Sequence, residues 1–415
     1  MKKNDFLSFG AGLAIRFANL VGGGIEASGI RLVDLSEESI LREARRRTKL
    51  QNWGNERFQV PLRAIIEGHE NDSNLTFVGR FIARQMLIHT VSNRLRIHND
   101  LEKHPEILNG EIRRPLFVTG LPRSGTTLLY NLLAQDPGGR PLLYWEAFSP
   151  SPPPCPQTYD CDPRIKVAER SIATLYRALP SLKLIHEINP RGPAEDLLLL
   201  INTFVTPSLQ GELPKYRKWL DEVGDEVLIA SYKEYREQLL LLQWKVSKDH
   251  WVLKSPSHLF GLKALLEVFP DACVVQTHRD PAEAISSLLS LAVTISSLSV
   301  KTIKQKMLKE IIVKMLEQQL QRSMDARRGS NGNRIYDVRY QALIDDPLGT
   351  VRNIYRHFGY DCTGAMEECM GAYLSQNRQH KHGVHRHSLN DFHIDPDEID
   401  HLFSGYCHRF QLKRR

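Results

Sequence analysis

The sequence predicts an α/β protein with a parallel sheet flanked by helices, and two observations carry this prediction. Four apolar runs have the length and composition of buried strands; they are residues 115–119, 251–254, 272–277 and 335–340. Helical patterns follow them, for example at 259–268 and 281–292. Strands that alternate with helices pair in parallel and carry helices on both faces of their sheet.

The remaining segments are predicted to be helical additions to this sheet. Residues 1–112 show helical periodicity without strand alternation, which predicts an N-terminal helical elaboration that includes an amphipathic helix at 5–21. Residues 113–415 form the α/β domain. Within it, residues 146–250 form a mostly helical insertion over the carboxyl ends of the strands, where open parallel sheets bind ligands.

Composition favours a protein that binds small anions over one that binds nucleic acid. The net charge of +7 over 415 residues is modest, and no dense stripe of lysine and arginine is present. Six cysteines without a C-x-x-C pair predict a reduced, cytoplasmic setting. Arg16 and Asn19 interrupt the apolar N-terminal run, so we expect no transmembrane segment and at most weak peripheral membrane contact. The sequence does not indicate an oligomeric state.

The stretch "VTGLPRSGTTLLYNLL", residues 118–133, resembles a phosphate-binding loop between a strand and a helix. Its two glycines are spaced as in the nucleotide-triphosphatase pattern G-x-x-x-x-G-K-[ST], but Thr126 replaces the lysine. Backbone amides, hydroxyls and a guanidinium are predicted to hold an anion here, in a P-loop-like fold. The predicted binding residues are Arg123, Ser124, Gly125, Thr126, Thr127 and Leu128.

A second anion site is predicted at the end of the strand at 272–277. This strand runs into His278 and Arg279, so a cation stands where metal-dependent phosphoryl transfer needs a carboxylate. Asp280 precedes Pro281 and is predicted to cap the next helix, which carries hydroxyls at Ser286 and Ser287. Taken alone, Arg279 is an ordinary surface arginine, but together with the first loop it predicts a second bound phosphate.

"LPRSGTTLL" and "THRDPAEAISSLLSL" together resemble the two signature segments of sulfotransferases that use 3′-phosphoadenosine 5′-phosphosulfate, and in particular the bacterial small-molecule members. The resemblance extends over about residues 113–393 and answers the question of the missing lysine, because a phosphosulfate carries less charge and needs no metal. It implies that the first loop holds the 5′-phosphosulfate, that Arg279 and Ser287 hold the 3′-phosphate, and that Tyr340 lies near the adenine. Lys381, His382 and Gly383 would close over the 3′-phosphate, and 3′,5′-adenosine bisphosphate would be the product.

The resemblance also implies a sulfuryl transfer to a hydroxyl, less readily an amine, of a small molecule such as a specialised metabolite. Arg123 and Lys254 are the candidates that neutralise charge on the leaving oxygen. His258, four residues after Lys254, is the first candidate for the base that takes the acceptor's proton. The alternatives lie in the insertion that would cover the acceptor: His186, Glu187 and the pair Glu195–Asp196, which simple helix capping also explains.

Other interpretations remain open at this stage. A nucleotide-dependent kinase is the alternative enzyme, and a non-catalytic anion-binding protein is the alternative of another class. The histidines at 380, 382, 385 and 387 suggest zinc, although the interleaved basic residues fit an anion-binding loop better. Apolar residues at 142–145 and Phe204 would suit a hydrophobic acceptor, or they are core.

Overall fold

The computed structural model describes residues 9–71, 74–185, 187–209, 213–329, 332–377 and 389–412. Its centre is a five-stranded sheet in the order β2-β3-β1-β4-β5, in which all neighbours run parallel. The strands are β1 Leu116–Gly120, β2 Gly139–Pro141, β3 His250–Lys254, β4 Cys273–His278 and β5 Ile335–Arg339. The four predicted strands are therefore confirmed, and the three-residue edge strand β2 is an addition that its Gly-Arg-Pro sequence did not indicate.

Helices make up most of the rest of the described chain. The α-helices are α1 Phe9–Ala27, α2 Glu37–Thr48, α3 Gln59–Asn71, α4 Phe77–Lys103, α5 Thr126–Leu133, α6 Tyr144–Phe148, α7 Pro163–Ala178, α8 Leu182–Ile185, α9 Leu197–Ile201, α10 Pro214–Glu222, α11 Asp225–Gln243, α12 Leu262–Val268, α13 Pro281–Ser299, α14 Gln305–Arg328, α15 Tyr340–Asp345, α16 Pro347–Phe358, α17 Gly364–Gln376, α18 Pro396–Leu402 and α19 Ser404–Arg409. Short 3₁₀ turns lie at Pro105–Asn109, Pro156–Cys161, Pro207–Leu209, Pro256–Leu259, Gly332–Arg334 and Asn390–Phe392.

Both faces of the sheet are covered, as predicted. On one face, residues of the N-terminal helices such as Leu62 and Ile88 belong to the same buried cluster as Phe117 and Leu253 of the strands. On the other face, Val118 and Val275 pack among residues of α5, α16 and α17. The N-terminal elaboration therefore shares a hydrophobic core with the sheet.

Strand register brings the predicted site segments to one edge of the sheet. Val118 of β1 is paired with Lys254 of β3, and Gly120 is paired with Thr277 of β4. Since the carboxyl ends of parallel strands meet at one edge, the loop after β1 lies beside Lys254, Arg279 and the start of α15.

The insertion, predicted to be mostly helical, contains an irregular segment at residues 192–196, which runs across the sheet edge before α9 begins. Helix α13 is the one helix among the described residues that is long and apolar enough to span a bilayer by length and composition, a test that a buried core helix also passes. Over half of its apolar window, 56%, is buried, and Ile285, Leu289 and Val293 pack in a cluster with α14 and the C-terminal helices.

Candidate active site

The loop between β1 and α5 has a backbone that only glycine adopts easily at two positions. Gly120 has φ 149° and Gly125 has φ 89°. A Cβ on Gly120 would lie 2.2 Å from Thr277 Oγ1, and one on Gly125 would lie 2.9 Å from the side chain of Leu343. The loop therefore passes close to β4 on one side and to α15 on the other. This concave backbone matches the predicted cradle.

The N-terminus of α5 offers unused backbone donors. The Leu129 N–H donates to the Gly125 carbonyl at 3.0 Å, so the amides of Thr126, Thr127 and Leu128 precede the first carbonyl available within the helix. Thr127 and Arg123 are exposed, whereas Thr126 is buried. Together with the helix dipole, these groups favour an anion at the loop.

Ser124 has a structural role that the sequence did not indicate. Its side chain is fully buried, and its hydroxyl lies 2.5 Å from the Leu121 carbonyl and 2.6 Å from Thr277 Oγ1. The hydroxyl therefore fastens the loop to β4. The prediction assigned the Ser124 amide to the anion, and in the structure this N–H donates to the Leu121 carbonyl at 3.2 Å.

Arg279 connects the loop to α15, as the prediction of a second anion site requires. Its Nη1 donates to the Arg123 carbonyl at 2.8 Å, and its guanidinium lies 3.9 Å from the centroid of the Tyr340 ring. It also forms an ion pair with Glu283, one turn into α13. Ser287 is half-buried one turn further along the same side of that helix. Glu283 was not predicted from the sequence, although its spacing of four residues from Arg279 is the usual signal of such a pair.

His278 anchors this second site to the end of the chain. The ring is fully buried, with Nδ1 2.8 Å from the Tyr406 hydroxyl and Nε2 2.8 Å from Asp337 Oδ1. Burial lowers the pKa of His278, and the Asp337 carboxylate opposes that shift. Helix α19 is therefore fixed directly beside Arg279.

A lysine and a glutamate meet at the same sheet edge. Lys254 Nζ lies 2.5 Å from Glu195 Oε1, with the lysine side chain 4% exposed and the glutamate side chain 25% exposed. The Asp196 N–H donates to the Lys254 carbonyl at 3.1 Å, and the Tyr130 hydroxyl of α5 donates to the Ala194 carbonyl at 3.1 Å. Both neighbours of Glu195 are thus fixed, which holds its carboxylate beside Lys254.

The predicted role of His258 as the base does not fit its position. The side chain is 0% exposed, Nε2 lies 3.1 Å from Asp196 Oδ2, and Nδ1 lies 2.9 Å from the Tyr232 hydroxyl. An imidazole that donates to Asp196 and accepts from Tyr232 uses both of its nitrogens. The Tyr235 hydroxyl donates to the same Asp196 oxygen at 3.1 Å. A general base must reach the proton it removes, and an acceptor has no access to the buried His258 ring.

The Asp196 side chain does not cap α9, contrary to the capping explanation. Asp196 stands at the N-cap of α9, but its side chain makes no capping hydrogen bond. The carboxylate is fully buried and bonds to His258 and Tyr235 instead, while Glu195 bonds to Lys254.

The other predicted base candidates lie elsewhere. Glu187 is exposed, and its charge adds to the burial that raises the pKa of Tyr176 and of Tyr373. Among the described residues, the carboxylate that reaches Lys254 is that of Glu195. His186 lies outside the described residues, as do Lys381, His382 and Gly383 of the predicted 3′-phosphate loop and the histidines at 380, 385 and 387.

The apolar residues suggested for acceptor binding are mostly core. Leu142, Trp145 and Phe204 are at most 1% exposed. Leu143 and Tyr144 are half-buried, and the Tyr144 N–H donates to the Gly192 carbonyl at 3.0 Å. This pairing continues with the Ala194 N–H, which donates to the Leu142 carbonyl at 2.8 Å, so the 142–144 segment supports the segment that carries Glu195.

A family model described as the sulfotransferase family matches residues 115–364. The chain belongs to the sulfotransferase family. The match covers β1 to the start of α17 and so includes the loop after β1, the Lys254–Glu195 pair and Arg279 with Tyr340. The family resemblance and the fold class predicted from the sequence are both confirmed.

Mycobacterial sulfotransferases are similar to this chain in sequence and in structure. The omega-hydroxy-beta-dihydromenaquinone-9 sulfotransferases Stf3 of Mycobacterium bovis and Mycobacterium tuberculosis are 26% identical over 256 residues, which is 59% of this chain and 62% of those relatives. The crystal structure of sulfotransferase STF1 from Mycobacterium tuberculosis H37Rv has a TM-score of 0.80 at 29% identity, covering 90% of this chain and 99% of that one. For STF9 from Mycobacterium avium, the TM-score is 0.83 at 27% identity, with 92% and 99% covered.

Proposed function

We propose that this sulfotransferase-family protein transfers a sulfuryl group from 3′-phosphoadenosine 5′-phosphosulfate to a hydroxyl of a small molecule. The observation that carries the proposal is the meeting of two cationic anion sites with the Lys254–Glu195 pair at one sheet edge. Membership of the sulfotransferase family supports the reaction class.

The residues at the edge suit a donor with charge at both ends. The amides at the start of α5 and the exposed Arg123 would hold the 5′-phosphosulfate. Arg279, with Ser287 beyond it on α13, would hold the 3′-phosphate, and Tyr340 lies where an adenine would find an aromatic ring. The donor supplies a sulfuryl group on a good leaving group, so the protein has mainly to position the reactants and neutralise charge.

Glu195 is our candidate for the general base. Its carboxylate is partly exposed, so an acceptor hydroxyl has access, and Lys254 lies 2.5 Å away. The acceptor oxygen would form a bond to sulfur as its proton passes to Glu195, while the bond from sulfur to the bridging oxygen breaks. Lys254 and Arg123 would neutralise the charge that develops on that oxygen, and 3′,5′-adenosine bisphosphate would leave. The buried His258–Asp196 pair would hold the backbone next to the base.

The acceptor that we propose is an apolar or amphiphilic alcohol. Two observations support this class. Half-buried Leu143 and Tyr144 lie on the segment that pairs with residues 192–194, just before Glu195. The similar Stf3 proteins are named for a hydroxylated menaquinone derivative.

Calorimetric titration with 3′,5′-adenosine bisphosphate, and separately with ATP with and without magnesium, tests the donor half. We expect the bisphosphate to bind without magnesium and Arg279→Ala to weaken it by about 10- to 100-fold, since a charge-assisted hydrogen bond is lost. Arg328→Ala, which removes a surface arginine of α14 with a side chain 69% exposed, is the matched control and should change nothing. Equal or tighter binding of ATP with magnesium would contradict the proposal and support a kinase.

A further inference from the structure

Helix α1 presents its apolar side to solvent. Leu13, Phe17, Leu20 and Val21 are 52%, 69%, 75% and 46% exposed. Their spacing of four, three and one residues places them on one side of a helix. These four side chains form what we call the α1 apolar stripe.

The opposite side of α1 carries its small and polar residues, and these face the protein. Gly22 packs against the Phe77 ring so closely that a Cβ would lie 2.3 Å from it. The Asn19 side chain accepts a hydrogen bond from the Val78 N–H at the start of α4 at 2.9 Å. Glu26 lies 3.8 Å from Arg80, also on α4. The helix is therefore inverted relative to an ordinary surface helix, which buries its apolar side.

More apolar side chains are exposed on α4, which packs against α1, and on the segment that follows α1. Phe81, four residues after Phe77 on α4, is 51% exposed, and Ile30 and Leu32, just after α1, are 58% and 46% exposed. Monomers in water seldom expose contiguous apolar patches of this kind, so the stripe calls for an apolar partner.

We propose that the α1 apolar stripe lies on an anionic lipid surface. Charge favours lipid over a second protein surface. Among residues 12–26, whose side chains the structure describes, the outward arc carries no carboxylate, and Arg16 borders it. Arg31, between Ile30 and Leu32 in the sequence, has a side chain 76% exposed that also lies 3.9 Å from Glu70. Lys2 and Lys3 precede the helix in the sequence, and the whole chain carries +7. An apolar arc edged by cations is the composition of helices that lie in an anionic membrane interface.

The position of α1 relative to the insertion gives this docking a use. Ile15 packs in the same cluster as Leu175 and Tyr176 of α7, which belongs to the insertion over the sheet edge. Docking through α1 would thus bring that insertion close to the lipid. If the acceptor is an amphiphilic alcohol, as the proposed function holds, it would enter from the membrane; this step rests on the proposed function, whereas the docking itself does not.

Vesicle flotation of the purified full chain tests the docking. One set of vesicles is phosphatidylcholine alone, and the other contains phosphatidylglycerol as well. We expect the wild type to float with the anionic vesicles, and the double variant Phe17→Ser with Leu20→Ser to bind them about 10- to 100-fold more weakly, since two large apolar side chains lose their lipid contact. The matched control combines Val60→Ser and Leu108→Ser, which removes two side chains 52% and 44% exposed elsewhere. That variant should float like the wild type, and circular dichroism checks that all three proteins are folded.

Two results would overturn the docking proposal. A folded wild type that remains with the soluble fraction for both vesicle types leaves the stripe without a lipid partner. A wild type that sediments as a dimer, and becomes a monomer in the Phe17/Leu20 variant, assigns the stripe to a second copy of the chain. Flotation uses neither donor nor acceptor, so a protein that floats but transfers no sulfuryl group would refute the proposed function and leave the docking intact.

Discussion

Glu195→Gln and His258→Gln should have opposite effects on turnover and on stability, because the structure separates a reachable carboxylate from a buried imidazole. Glu195 is partly exposed beside Lys254, whereas His258 is fully buried between Asp196 and Tyr232. Glu195→Gln removes the proposed base and keeps a side chain of the same size. His258→Gln removes a ring that no acceptor can touch.

The magnitudes follow from these surroundings. A positioned general base contributes about 10²- to 10⁴-fold to the rate, so Glu195→Gln should lower kcat by that factor. Its amide oxygen can still accept a hydrogen bond from Lys254, so the loss of stability should be about 1 kcal/mol. His258→Gln leaves the buried Asp196 carboxylate with a poorer partner and opens space beside Phe117, which should cost about 2–4 kcal/mol of unfolding free energy. The kcat of the folded fraction should fall by less than about tenfold.

Three measurements on the same preparations separate the two roles. Urea unfolding gives the stability of each variant, calorimetry with 3′,5′-adenosine bisphosphate gives the donor affinity, and sulfuryl transfer from 3′-phosphoadenosine 5′-phosphosulfate to a hydroxylated apolar acceptor gives kcat. Donor affinity should be unchanged in both variants, since neither side chain contacts the two anion sites. The control Glu317→Gln, at an exposed position of α14, should match the wild type in all three.

The opposite results would refute the assignment of Glu195 as the base. A His258→Gln protein that is as stable as the wild type but turns over 10²-fold more slowly would restore the histidine as the base. A Glu195→Gln protein with full kcat would show that Lys254 needs no carboxylate beside it for catalysis.

The remaining predictions concern backbone strain, an aromatic contact and pH. Gly125→Ala should lose about 1–2 kcal/mol of stability and weaken bisphosphate binding in calorimetry, because φ is 89° and the new Cβ would meet α15. The control Gly224→Ala, at φ −78° with open space around it, should stay within about 0.5 kcal/mol of the wild type by urea unfolding. Tyr340→Leu removes the ring under a guanidinium 3.9 Å away and should weaken bisphosphate binding about three- to tenfold; unchanged affinity would exclude the ring from the donor site. Burial lowers the pKa of His69 from 6.5 to about 4, with the Arg80 charge adding to the effect, so its contribution to stability is complete above pH 6.5 and is lost as pH falls from 6.5 towards 4. His69→Leu should shrink the drop in unfolding free energy between pH 7 and pH 4 by about 3 kcal/mol, and an unchanged drop would show that this histidine is protonated while buried.

The residues that we propose for the donor site could be found from the sequence, because they lie in contiguous segments. Arg123 and Gly125 follow Gly120, the last residue of β1, and Arg279 directly follows β4. Parallel pairing then brings two such strand ends together without any further information. The local pattern did not reveal the direction of the Ser124 side chain, whose hydroxyl hydrogen-bonds to the Leu121 carbonyl and to Thr277 of β4.

The residues that we propose on the acceptor side of the site could not be assigned from the sequence, because Glu195 and Asp196 fit more than one role. Two acidic residues after a proline suit a helix N-terminus, and a histidine four residues after Lys254 suits a base. Deciding between these uses requires contacts across more than fifty residues: Lys254 with Glu195, and His258 with Asp196. The observed contacts differ from both expectations. Asp196, which was expected to cap a helix, bonds to His258, and Glu195 bonds to Lys254. Adjacent residues on an irregular segment point in different directions, and here one direction leads into the core and the other towards the open edge of the sheet. The irregular conformation of residues 192–196 therefore matters more for the site than their acidity does, because a helix extended back to Gly192 would turn Glu195 away from Lys254.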